Sequence, residues 1–128
     1  MPIWLATGVI ISIHQEQLKR HGGSDGVRDS RGLEGAINRP ETIYAYTDGE
    51  ATLEEQASAL AVGLAKGHYF VDGNKRTACV ASLLFLRMNG IEIAATEDEL
   101  ATVFEDIAAG KLTEAGLSDW FVQNTVEN

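Results

Sequence analysis

The chain has 128 residues, with 19 acidic against 10 basic side chains and a formal charge of −9. That length predicts one domain over residues 1–128, able to bury about two thirds of its unfolded surface without a disulfide or metal staple. Apolar residues at 45% and charged residues at 23% lie in the ordinary globular range, which excludes an intrinsically disordered chain. The acidic balance argues against direct nucleic-acid binding, because a phosphate backbone rewards a basic footprint. It leaves room for a small basic pocket that takes a nucleotide.

Cys79 is the single cysteine, so no intrachain disulfide forms. The longest apolar stretch, Ala78 to Leu86, is far shorter than the roughly 18 residues of a membrane span. Met1 to Ile13 is fairly apolar, but it has no basic n-region and no small-residue cleavage site after it. These features predict a cytoplasmic protein with no membrane partner.

In chain order, Gly8 to Arg20 reads as a helix, with Ile10, Ile13 and Gln17 on one register and His21-Gly22-Gly23 as its stop. Gly22 to Asp29 is rich in glycine and aspartate and reads as a loop. Ser30 is placed to cap a short helix through Arg39, with Leu33, Ala36 and Ile37 inward and Pro40 as its end. Glu41 to Glu50, with Ile43, Tyr44, Tyr46 and then Asp48-Gly49, predicts a small extended flap. Thr52 caps the next helix, which has Glu54 and Glu55 in its first turn and ends near Gly67. Lys75 to Asn89 reads as a helix apolar nearly all round, hence central. Ile91 to Ala94 is short and extended. Glu97 to Ala109 and Thr113 to Thr125 complete about six helices with hardly any sheet, an all-α bundle.

The chemically informative segment is His68-Tyr69-Phe70-Val71-Asp72-Gly73-Asn74-Lys75-Arg76, a loop that runs into the start of a helix. Unpaired N–H groups and the positive end of the dipole make a helix start an anion site. Asp72-Gly73-Asn74 can turn successive N–H groups inward. Lys75 and Arg76 place two cations where the dipole disfavours them, which suits a site that binds an anion. His68 is the side chain here that accepts a proton near neutral pH, and Asp72 is a hard oxygen ligand suited to Mg²⁺ beside phosphates. Phe70 reads as the apolar anchor of the loop. Base, metal ligand and phosphate cradle together point to phosphoryl or nucleotidyl transfer.

Residues 68–76 resemble the signature of the Fic/Doc superfamily (filamentation-induced-by-cAMP and death-on-curing proteins). The general Fic pattern is H-P-F-x-[D/E]-G-N-G-R; the death-on-curing pattern is H-x-F-x-[D/N]-[A/G]-N-K-R. Tyr69 and Lys75 depart from the first and match the second. Further likeness lies in Ile13-His14, His21-Gly22-Gly23, Gly26, Arg28-Asp29, Leu33-Glu34, Ala36, Arg39-Pro40, Thr77-Ala78, Phe85-Leu86 and Asn89-Gly90.

The resemblance implies an all-α bacterial toxin held by a cognate, Phd-like antitoxin. The best-known member phosphorylates elongation factor Tu with ATP and stops translation, whereas Fic proteins proper transfer AMP to protein hydroxyls. By matching positions, His68 is the general base and Asp72 the Mg²⁺ ligand, while Gly73, Asn74, Lys75 and Arg76 hold the phosphates of ATP. Lys75 fills the place where a Fic glycine leaves room for the α-phosphate, which favours γ-phosphoryl transfer. The flap at Glu41 to Glu50 would align the target segment. An adenylyltransferase, or a catalytically silent antitoxin-binding partner, are the alternative readings.

Three further features read as structural. His14 and His21 are too few for a metal site and predict packing or surface roles. Cys79 reads as a small core residue. Ser30-Arg31-Gly32-Leu33-Glu34-Gly35 fits the loose S-x-x-x-E-G pattern of the self-inhibitory helix in some Fic proteins, but a Ser30 N-cap explains it without regulation.

Overall fold

The computed structural model describes residues 1–126. Its helices are α1 (Thr7–His21), α2 (Ser30–Tyr46), α3 (Leu53–Lys66), α4 (Asn74–Met88), α5 (Glu97–Ala108) and α6 (Glu114–Gln123). Among the described residues the only extended pairings are two isolated bridges, Val27 with Phe70 and Ile93 with Thr125. The fold is all-α, as expected. Among the described residues no helix is long and apolar enough to cross a membrane.

Local chemistry sets several of the ends. Thr52 and Glu55 form a reciprocal capping box at α3, and Thr96 and Glu99 do the same at α5. Thr113 accepts the Gly116 N–H to open α6. At α2 the cap is Asp29, whose carboxylate accepts the Gly32 N–H at 3.0 Å; Ser30 is already helical.

α3 is the central helix, and this corrects the expectation that α4 would be. α3 packs against α2, α4, α5 and α6. Gln56, Ala57, Ser58, Ala59, Leu60, Ala61, Leu64 and Ala65 are all buried on it. Its small residues permit the approach: a Cβ on Gly63 would stand 3.1 Å from the Ala36 methyl of α2. α4 instead buries one stripe, Thr77, Ala78, Ala81, Ser82, Phe85 and Leu86, while Lys75, Arg76, Arg87 and Met88 are exposed. A run of apolar letters marks a central helix only if every face meets another element, and α4 keeps one edge in water.

The predicted flap does not exist: α2 continues through Pro40 to Tyr46. A proline inside a helix costs about 3 kcal/mol in a lost hydrogen bond and ring crowding. Packing offsets that cost here. Pro40 itself is buried, Ile43 and Tyr44 are half-buried, and the Tyr44 ring meets Trp4 edge-on at 5.6 Å. Trp4 in turn donates its Nε1–H to the buried Gln56 side chain at 2.9 Å. The chain turns only at Thr47–Glu50, where Asp48 (φ 52°) and Gly49 (φ 81°) are left-handed.

Candidate active site

The loop from His68 to Gly73 joins α3 to α4 and is held from three sides. The first hold is internal. The Asn74 carboxamide accepts the Phe70 N–H at 3.1 Å and donates to the Phe70 carbonyl at 2.9 Å. Both ends of that side chain are therefore engaged within the loop, and what Asn74 offers a ligand is its backbone N–H. Phe70 is only 1% exposed, so its backbone groups have no access to water. Asn74→Ala is expected to cost about 2 kcal/mol by leaving them unpaired. A lowered urea midpoint and faster exchange of the Phe70 amide will register it.

The second hold is the segment between α1 and α2. Arg28 and Asp29 donate their N–H groups to the Tyr69 carbonyl at 2.6 and 3.3 Å, and Val71 donates to the Gly26 carbonyl at 3.0 Å. The Ser24 N–H reaches Asp72 Oδ2 at 2.7 Å. What the sequence presents as a glycine-rich loop is bound along the motif, with one bridge between Val27 and Phe70. The Tyr69 ring locks this edge: it lies against Gly32 and Gly67, and a Cβ on either glycine would overlap it.

The third hold is α1. His14 is buried, its ring stacks on Phe70 with centroids 3.8 Å apart and planes 8° apart, and its Nε2 lies 2.8 Å from the Asp72 carbonyl. The packing role expected of His14 holds, but its contact with the motif loop is not foreseen from the sequence. The available signal was spacing: His14 falls four residues from both Ile10 and Leu18, on the inward stripe. His21 is exposed and lines the groove described next.

This scaffold presents a start to α4 that is rich in free donors. Gly73 is its N-cap in the left-handed region (φ 80°), which favours glycine. Among the described residues no acceptor meets the backbone N–H of Asp72, Gly73, Asn74, Lys75 or Arg76. Gly73, Asn74, Lys75 and Arg76 border a groove of about 560 Å³, walled by Gln17 and His21 of α1 and by Leu100, Phe104 and Glu105 of α5; Asp72 and His68 lie outside its lining. The volume lies in the range of small-molecule pockets. A second groove, about 540 Å³, runs along α1 past Ala6, Val9 and Ile13. Its walls are mostly apolar and Glu16 is its one charged side chain, so it offers a phosphate no cation.

His68 is exposed at the head of the loop, held at φ 52°. Lys75 and Arg76 are exposed on the first turn of α4. The Lys75 ammonium pairs with Glu105 Oε1 across the groove at 2.6 Å, and this cation holds the Glu105 carboxyl below the usual range. Cys79 lines the groove but is no nucleophile: burial pushes its thiol up to about 11.

The described residues hold no cluster of three metal-ligating side chains. Asp72 is exposed, with one carboxylate oxygen on Ser24. That donor set fits Mg²⁺, which takes one or two carboxylates and completes its shell with phosphate oxygens and water. It does not fit a metal held by protein alone.

The profile of the Fic/DOC family matches residues 4–86, which include the whole loop. The chain is 36% identical over 110 residues to the protein named Protein kinase doc from Escherichia phage P1, covering 86% of each. It is 43% identical over 77 residues to Toxin Doc of Mycolicibacterium smegmatis (strain ATCC 700084 / mc(2)155), covering 60% of this chain and 59% of that protein.

Proposed function

This chain belongs to the Fic/DOC family, and from that premise we propose that it is the toxin of a bacterial toxin–antitoxin pair, a protein kinase that transfers the γ-phosphoryl group of ATP to a hydroxyl of elongation factor Tu. The observation that carries this reading is the row of five backbone donors without acceptors at the start of α4, on the turn that bears the exposed Lys75 and Arg76, with an exposed His68 at the head of the same loop. Such an array suits a polyphosphate. The name Protein kinase doc, borne by a relative similar over 86% of its length, supports phosphoryl rather than nucleotidyl transfer.

In this mechanism the Gly73 and Asn74 N–H groups, the Lys75 ammonium and the Arg76 guanidinium hold the phosphates. The Lys75–Glu105 pair is exposed on both sides, so a phosphate can replace the carboxylate at Lys75 without unburying a charge. Asp72 would hold Mg²⁺, which when bound offsets charge on the phosphate oxygens. His68 takes the proton from the target hydroxyl. The hydroxyl oxygen attacks the γ-phosphorus, the bond from that phosphorus to the bridging oxygen breaks, and ADP leaves. The long stem of Lys75 occupies space that an α-phosphate would need for AMP transfer. The segment paired with the motif is Gly26 to Asp29; Glu41 to Glu50, being helix and turn, offers a target no extended edge.

The remaining expectations belong to the same reading: one domain, a cytoplasmic site of action, and inhibition by a Phd-like antitoxin that folds on the toxin surface. The decisive experiment incubates the protein with Mg²⁺, purified elongation factor Tu and ATP labelled separately at the α and γ positions. Label on the target from γ alone is expected. Label from α would establish an adenylyltransferase, and no transfer from either position would end the enzymatic reading.

A further inference from the structure

One imidazole supports three residues of the loop. His14 stacks on Phe70, stands 2.8 Å from the Asp72 carbonyl, and flanks Gly73, where a Cβ would lie 3.5 Å from its Cδ2. It is 1% exposed, among the few polar side chains inside the protein. A carbonyl oxygen only accepts, so the nitrogen facing it, Nε2, carries a proton. Among the described residues there is no cis peptide bond. In a planar trans peptide the carbonyl and the following N–H point in opposite directions. Holding the Asp72 carbonyl against α1 therefore turns the Gly73 N–H away from the imidazole and sets the plane of the first peptide of the donor row.

We propose that His14 is a positioning residue for phosphate binding: its Nε2–H holds the Asp72–Gly73 peptide in the orientation that keeps the N–H groups at the start of α4 available to the nucleotide. The proposal rests on the ATP-binding reading above. It differs from a packing role in a checkable way. Phenylalanine at position 14 keeps an aromatic ring on Phe70 and loses the donor. Glutamine keeps an N–H at nearly the same reach and loses the stack. Without the donor the peptide samples other orientations, and apparent affinity falls with the population of the competent one.

The test measures thermal unfolding, Mg·ATP affinity by calorimetry, and kcat and KM for γ-phosphoryl transfer in His14→Phe and His14→Gln. His14→Phe is expected to bind ATP roughly tenfold more weakly, which is one hydrogen bond on the scale of about 1.4 kcal/mol per decade. KM for ATP rises accordingly. His14→Gln is expected to recover most of the affinity although it melts lower than the phenylalanine variant. A packing role makes affinity follow melting temperature, so a phenylalanine variant that binds ATP as well as the wild type, or better than the glutamine variant, overturns the proposal. If the wild type binds no ATP, the kinase reading fails by itself. The imidazole ¹⁵N spectrum of the wild-type protein then still judges the geometry: a proton on Nε2 is expected, and a proton on Nδ1 alone overturns it. That spectrum also decides if a variant does not fold.

Discussion

Replacing His68 by alanine is expected to lower phosphoryl transfer by about 10²–10⁴, the usual loss when a general base is removed. The fold should survive. His68 is exposed, and an exposed truncation away from packed features ordinarily shifts stability by about 0.5 kcal/mol or less. Its backbone is left-handed at φ 52°, so His68→Asn, which tolerates that region and lacks the imidazole, serves as the control for backbone strain. Both variants should lose growth arrest on expression and keep ATP affinity, because the phosphate donors lie further along the loop. Retained γ-label transfer by either folded variant would remove His68 from the chemistry.

Phe70→Ala should act through stability. The ring is 1% exposed, belongs to the main core and carries the His14 stack. Removing a buried phenylalanine ring typically costs about 3–5 kcal/mol. Here the loss falls on the segment that carries the site, since the Phe70 backbone also anchors Asn74 and pairs with Val27. Chemical denaturation should show a lower midpoint with little change of slope, and activity should fall in step with the folded fraction. A destabilisation below about 1 kcal/mol would mean that the loop is held without its aromatic anchor.

The two variants separate what this loop does from what holds it, and the same division runs through the chain. The number and order of the helices are legible in the chain, since a stripe such as Leu100, Val103, Phe104 and Ile107 and a cap such as Thr52 act within a few residues and need no partner to be read. The residue content of the motif is equally legible: an imidazole at the head of the loop, then a carboxylate, a glycine and two cations at one helix start. Tertiary structure decided the rest. Pro40 reads locally as a helix end, yet Tyr44 against Trp4 and the burial of Pro40 carry α2 six residues further. The α4 segment reads as central by composition, but which helix lies in the middle depends on how many neighbours surround it. Asn74 reads as a phosphate ligand, but its side chain closes the loop on Phe70. The strongest case is Asp72. Its carbonyl is held by His14 from 58 residues away and its carboxylate by Ser24 from 48 residues away. A hydrogen bond between such distant positions leaves no periodicity in the chain. It exists only once packing has brought α1 and the Gly22–Asp29 segment against the loop, so the local pattern supplies the candidate groups and packing sets how the loop that carries them is held.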